Sequence, residues 1–377
     1  MSFTVWTSVK YAGAICAALL LAACDGAPQA YDWHLPAHTP IPWDPPGNPM
    51  TVAKVALGRA LFYDTRLSIS GAMSCASCHR QDLAFTDGRP VAIGATGEHH
   101  SRGAMSLVNV AYAAKLTWAN PLVDSLEHQA LLPMFGERPV EMGLAGKEHD
   151  MLAVLAADKD TAALFAKAFP GNAAPVTLDH LTKALASFER SIVSADAPFD
   201  RYMRGDDIAL SDAQQRGLAL FLSERLECYH CHGGFNFTDS TRHGGEEPLA
   251  LPYHNTGLYN LDGQGAYPKG NTGVAEISGA DRDMGKFRAP TLRNIAVTAP
   301  YMHDGSIATL SEVLDHYAAG GRAHSPRTSE FMPGFILSTE EKADLLAFFD
   351  SLTDRSVLND PRFSDPGFSG PKKPEAP

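Results

Sequence analysis

Two five-residue stretches constrain this chain more than anything else in it: "CASCH" at Cys75–His79 and "CYHCH" at Cys228–His232. A CxxC pair followed directly by His is the pattern of covalent c-type haem attachment. Its chemistry needs those residue types in that order, because two thiols form thioethers to the haem vinyl groups while the adjacent imidazole turns beneath the iron. A zinc site would keep its two knuckles roughly 12 to 20 residues apart, whereas these lie about 150 apart, each with its own His. A redox CxxC gives no reason for a His at the same place twice. The chain is therefore expected to hold two covalent haems, attached at Cys75, Cys78, Cys228 and Cys231, with His79 and His232 as iron ligands.

The surroundings of the two sites resemble each other. "LGRALFYD" precedes the first and "RGLALFLS" the second. Aligning Asn109 with Asn294 brings Leu126 within one residue of Leu310, and sets Trp118 where the second half has His303. Internal similarity of this kind points to a duplication. The expected fold is mostly α, two fused cytochrome-c-like haem domains with few strands. Helical apolar spacing runs through residues 51–63, 177–193, 211–223, 309–319 and 339–352, and the last begins with Ser338 and Glu341 in capping-box positions. Within 309–319, Leu310, Val313, Leu314 and Tyr317 share one stripe, with His316 pointing about 100° away. The domains read as 51–195 and 196–355. Residues 25–50, with seven prolines, and residues 356–377, rich in Pro, Gly and Lys, read as an extended lead-in and a flexible tail.

A net charge of −12 argues against a nucleic-acid or anionic-membrane partner. Near the N-terminus, Lys10 precedes the apolar run "YAGAICAALLLAAC", too short to span a bilayer and shaped like the core of a secretory signal. It ends in "LAAC", which resembles a bacterial lipobox with Cys24 as the lipidated residue. Residues 1–24 are thus expected to direct export to the periplasm, where a lipid on Cys24 would tether the protein without a membrane-spanning helix.

With its two CxxCH sites, "LEHQALLPMFGERPVEM" and "PTLRNIAVTAPYMHDGSIATL", the chain resembles the bacterial dihaem cytochrome c peroxidase/MauG superfamily from about residue 50 to 355. Within it, "YDWHLP", "LFYDTRLS", "SCASCH", "LAFTDGR" and "LTWANPL" look most like the MbnH-type enzymes associated with methanobactin and copper. Taken residue by residue, the resemblance implies that Trp118 relays electrons between the haems and that Gln129 and Glu141 sit on the open side of the first haem. Glu141 would there move a proton within hydrogen peroxide as general acid and base, with Pro133 shaping the same pocket. By itself Trp118 reads equally as a core aromatic, and the plain alternative for Glu141 is a solvated loop carboxylate. One departure stands beside Trp118, where the usual W-D-G-R reads "WANP". Thr298 and Pro300 match two backbone ligands of the family's calcium ion, whose third ligand is lost where an "RN" pair reads Arg102-Gly103. His303 has a structural or a redox role, and His99 and His100 have no assigned one. Tyr317 stands where peroxidases of the superfamily carry a Met ligand to the second haem; a phenolate there favours ferric and higher iron.

The implied function is a periplasmic enzyme that forms a high-valent dihaem state with hydrogen peroxide. It would oxidise an aromatic residue of a copper-related partner protein, Trp to kynurenine, by long-range electron transfer. The alternative is a peroxidase fed by a cytochrome or cupredoxin; a third reading is a non-enzymatic dihaem carrier.

Overall fold

The computed structural model describes residues 28–243 and 253–367, and the leader with Cys24 lies outside them. The chain is mostly helical. In the first half, α1 (Val52–Phe62), α2 (Leu126–Phe135), α3 (Glu148–Ala157), α4 (Lys159–Ala168) and α5 (Leu178–Ser191) follow in order. The second half holds α6 (Pro198–Met203), α7 (Asp212–Phe221), α8 (Tyr229–His232), α9 (Ala275–Ser278), α10 (Leu310–Ala318) and α11 (Thr339–Ser351). Among the described residues the only sheet is an antiparallel ribbon of β1 (Tyr253–His254) and β2 (Phe287–Arg288), with Tyr253 opposite Arg288. All five helices expected from apolar spacing form, and Ser338 with Glu341 makes the expected capping box on α11.

The two halves repeat each other in local geometry as well as in sequence. Helix α1 packs on α5 and α7 on α11, and each crossing is closed by a glycine. A Cβ on Gly58 would lie 1.9 Å from the Ala184 carbonyl oxygen, and one on Gly217 would lie 2.1 Å from that of Asp344. Only a residue without a side chain lets the backbones approach so closely. The phenyl pairs that follow, Phe62–Phe188 and Phe221–Phe348, sit 5.1 and 5.2 Å apart. Asn109 and Asn294 both adopt left-handed backbone, φ 58° and 60°, which Asn tolerates better than most residues. Each side-chain oxygen accepts a backbone N–H from beyond the closing helix, Ser194 at 2.7 Å and Asp354 at 2.8 Å.

The first core gathers Leu57, Leu61, Phe62, Phe165, Leu185 and Phe188, and the second Phe221, Leu345, Phe348 and Leu352. A buried bidentate pair, Arg293 to Asp200 with both bonds at 2.9 Å, ties the loop before α10 to α6.

Both terminal segments differ from the sequence reading. Residues 28–50 are extended but packed: Tyr112 donates to the Pro40 carbonyl, Arg242 stacks on Trp43, and Met50 is buried. Residues 356–367 are not a free tail. Val357 and Phe363 enter the first core, and Gln81 donates to the carbonyls of Val357 and Asp360. Two apolar anchors outweigh a local composition that otherwise reads as unstructured. Among the described residues no helix is long and apolar enough to cross a membrane.

Candidate functional site

Each CxxCH segment lies in the wall of its own cavity. The first, with about 730 Å³ of free space partly open to solvent, is lined by Cys75, Cys78 and His79, and the second, with about 1280 Å³ likewise partly open, by Cys228, Cys231 and His232. The four cysteines are unpaired. Burial pushes Cys75 and Cys228 up to about 12, so neither is the low-pKa thiolate of a redox CxxC. The two histidines are held alike. Nδ1 of His79 lies 2.9 Å from the Phe85 carbonyl, and Nδ1 of His232 lies 3.1 Å from that of Phe237. A carbonyl only accepts, so Nδ1 carries the proton and Nε2 keeps its lone pair. Burial lowers the pKa of both rings and keeps them neutral. Thiols facing an apolar cavity beside a neutral imidazole of fixed tautomer fit a covalent haem in each half, with His79 and His232 able to ligate its iron.

The first cavity brings Gln129, Pro133 and Glu141 together. Ser125 caps α2, which carries Gln129 and Pro133. The loop after it folds back, with the N–H groups of Met142 and Leu144 donating to the carbonyls of Pro133 and Met134. Glu141 is fixed by its backbone, since Ala95 N–H donates to its carbonyl at 2.6 Å. Gly94 permits this approach, because a Cβ there would lie 1.9 Å from the Val140 carbonyl oxygen. Burial raises the Glu141 carboxyl above its ordinary range, as suits a proton-transfer group.

Two residues without an assigned role also line this cavity. His100 places Nε2 3.6 Å from the Glu141 carboxylate, while His99 is exposed. Glu189, on α5, is 6% exposed, and its Oε2 has no hydrogen-bond partner. Burial pushes it to about 8, the charge of neighbouring Arg190 notwithstanding; that Arg is bound by Glu127 at 2.8 Å.

In the second cavity the whole α10 stripe, Leu310, Val313, Leu314 and Tyr317, faces the lining beside His232. His316, on the other side, is 5% exposed with both ring nitrogens lacking partners, and burial lowers it to about 4. Burial raises the Tyr317 phenol above its ordinary range, so the side chain is a neutral phenol unless a cation is brought to it. Met302 and Met332 line the same cavity. Trp118 does too, and its indole N–H donates to the Gly103 carbonyl at 2.9 Å, on a segment whose His100 and Leu107 line the first cavity. His303 is buried and stacked on Phe287 at 3.6 Å. His254 accompanies it in the lining and lies 2.6 Å from Asp239. Burial opposes a charge on His254, but the bonds to Asp239 and Cys231 overcome it and raise the imidazole to about 10.

Comparison with known proteins identifies a family. The family described as di-haem cytochrome c peroxidase matches residues 52–208. Methylamine utilization protein MauG of Methylorubrum extorquens is 36% identical over 310 residues, covering 82% of this chain and 80% of that protein. The chain belongs to the dihaem cytochrome c peroxidase/MauG family and is an oxidoreductase. Cytochrome-c peroxidase IdrP1 of Denitromonas iodatirespirans is 35% identical over 374 residues, covering 94% of this chain and 96% of that one. A solved structure of a MauG-like protein associated with microbial copper homeostasis superposes with a TM-score of 0.87 at 47% identity, over 90% of this chain and all of that one.

Proposed function

We propose that this protein is a periplasmic enzyme that uses hydrogen peroxide to oxidise an aromatic residue of a partner protein, a Trp carried to kynurenine. Each half, 51–195 and 196–355, holds one c-type haem. The observation that carries the reading is Tyr317 in the lining beside His232. A phenol there suits a site that stores oxidising power rather than one that accepts electrons from a small cytochrome. The relative associated with copper homeostasis supports a copper-related partner.

When bound, the two haems supply the redox chemistry with peroxide. The chain supplies the rest. Glu141 takes the proton from one peroxide oxygen and returns it to the other, which leaves as water, and Gln129 orients the molecule for that transfer. Trp118 links the second cavity to the segment bordering the first, so it is the side chain through which the sites exchange electrons. Thr298 and Pro300 offer backbone carbonyls to a calcium ion. Gly103 adds no side chain, and its own carbonyl is taken by Trp118, so waters would complete the six to eight oxygens the ion needs. A lipid on Cys24 would tether the mature protein to the membrane.

A second reading, a peroxidase fed by a cytochrome or cupredoxin, is favoured by Met302 and Met332, whose thioethers line the same cavity. Ferric EPR of Tyr317→Phe and Met332→Leu separates the two. The first reading expects the low-spin signal of the second site to change in Tyr317→Phe and to persist in Met332→Leu. The reverse result, joined to unchanged masses on every Trp of a copper-binding periplasmic partner after peroxide treatment, would leave the peroxidase reading in its place.

A further inference from the structure

Arg288 is a buried cation without a counter-charge. It is 8% exposed, lies on β2 and lines the second cavity. Its Nε donates to the Thr117 carbonyl at 3.1 Å and its Nη2 to the Met105 sulfur at 3.5 Å, a weak acceptor. Among the described residues no carboxylate forms an ion pair with it. Two groups are close enough to be felt, the Tyr253 phenol across the ribbon and Asp239; burial raises the phenol, which stays neutral, and Oδ2 of Asp239 is already engaged by His254 at 2.6 Å. Burial lowers the guanidinium to about 10, so at neutral pH the charge stays. A guanidinium presents five N–H donors, and the protein engages two of its three nitrogens, one of them poorly.

A lone buried charge is costly, and cores keep one only where a partner meets it. The missing partner must be anionic, must enter the second cavity, and must suit a planar two-pronged donor, which is the description of a carboxylate. The porphyrin that the CxxCH at Cys228 would carry brings two such groups. We infer that Arg288 seats a propionate carboxylate of the second haem. The same residue joins that carboxylate to the relay residue, because its backbone N–H donates to the Trp118 carbonyl at 2.8 Å. Arg288 is thus a cofactor-binding residue and the link that fixes the second haem edge relative to Trp118.

The inference rests on a haem in the second cavity, not on what that haem oxidises. The test uses the full exported protein and begins with haem per chain by pyridine haemochrome; a wild type with one haem overturns the occupancy on which it rests, whatever Arg288 does. With two haems bound, resonance Raman of Arg288→Gln should displace one propionate bending band. Spectroelectrochemistry should show the second haem at a more negative potential, because an uncompensated carboxylate favours the ferric state. Arg288→Lys should restore the potential in large part and the band only in part, since a point charge replaces the fork. If Arg288→Gln does not accumulate, the Arg288→Lys band decides alone. Propionate bands and potentials equal to wild type in the loaded variants would overturn the assignment.

Discussion

The two cavities share a floor and differ in their ceilings. Each has a CxxCH segment, an imidazole pinned through Nδ1 to a carbonyl, a glycine-closed helix crossing and a left-handed Asn. The first is lined by the carboxylate of Glu141 on the loop that returns to α2, the amide of Gln129 on α2 itself and a second histidine, His100, from the segment before Gly103. Above the second stand an aliphatic stripe, a phenol and two thioethers. The duplicated parts hold a cofactor. The parts that diverged set the chemistry apart: on the function proposed here, protons are handled in one half, and charge is stored and passed on in the other.

The sharpest way to break this contrast is Glu141→Gln, which keeps shape and removes the base. Stopped-flow reaction of the ferric protein with peroxide should slow by about 10²- to 10⁴-fold, while the spectrum of the second site stays as it was. A slowing under about threefold would place the proton transfer elsewhere, with His100 the next candidate.

Stability against pH should separate the halves by sign. Glu189 titrates near 8 when folded against an ordinary 4.5. Between those values the folded state keeps a proton that the unfolded chain releases, so stability falls as pH rises, at up to about 1.4 kcal/mol per pH unit. His316 titrates near 4 against an ordinary 6.5. Below 6.5 the unfolded chain binds a proton that the folded state refuses, so stability falls as pH drops toward 4. Denaturant unfolding across pH should show Glu189→Gln flattening the alkaline side and His316→Gln the acid side. A variant that flattens the opposite limb would contradict the burial described for it.

The glycine crossings should respond as a pair. Gly58→Ala and Gly217→Ala each drive a methyl into a carbonyl, and overpacking of this kind costs about 1–3 kcal/mol. Similar losses would mark the halves as equivalent in construction, whereas a large loss in one alone would show that only that half limits stability. At the small end, Gly94→Ala meets an equally close carbonyl but should cost less overall stability than the helix crossings while slowing peroxide reaction, because the carbonyl that must shift belongs to the Glu141 loop rather than to a core helix.

Much of this was legible in the sequence, because attachment chemistry and helix periodicity are local. Cys75–His79, Cys228–His232 and the α10 stripe carry their meaning in their spacing. Helices α2, α3, α4, α6 and α9 escape the apolar-spacing reading, α2 with Pro133 inside it and α6 and α9 with only six and four residues, and the Pro/Gly content around Val357 and Phe363 hides two core anchors. Glu189, Arg288 and the His254–Asp239 pair were out of reach for another reason. In "SFERSIVS" and "GKFRAP" a charged residue looks like surface; its burial comes from segments far along the chain, to which no local pattern refers.

The helix crossings also set an order of events for the newly made chain. Gly58 and Gly217 each meet their partner helix about 126 residues downstream, a loop whose closure comes late and whose topology folds slowly. Yet α5 and α11 supply walls of the cavities, Leu185 and Glu189 in the first and Phe349 in the second. Each CxxCH segment is therefore open on that side until the wall arrives. Until α5 and α11 dock, the apolar linings of both cavities face water, the condition in which chains aggregate most readily.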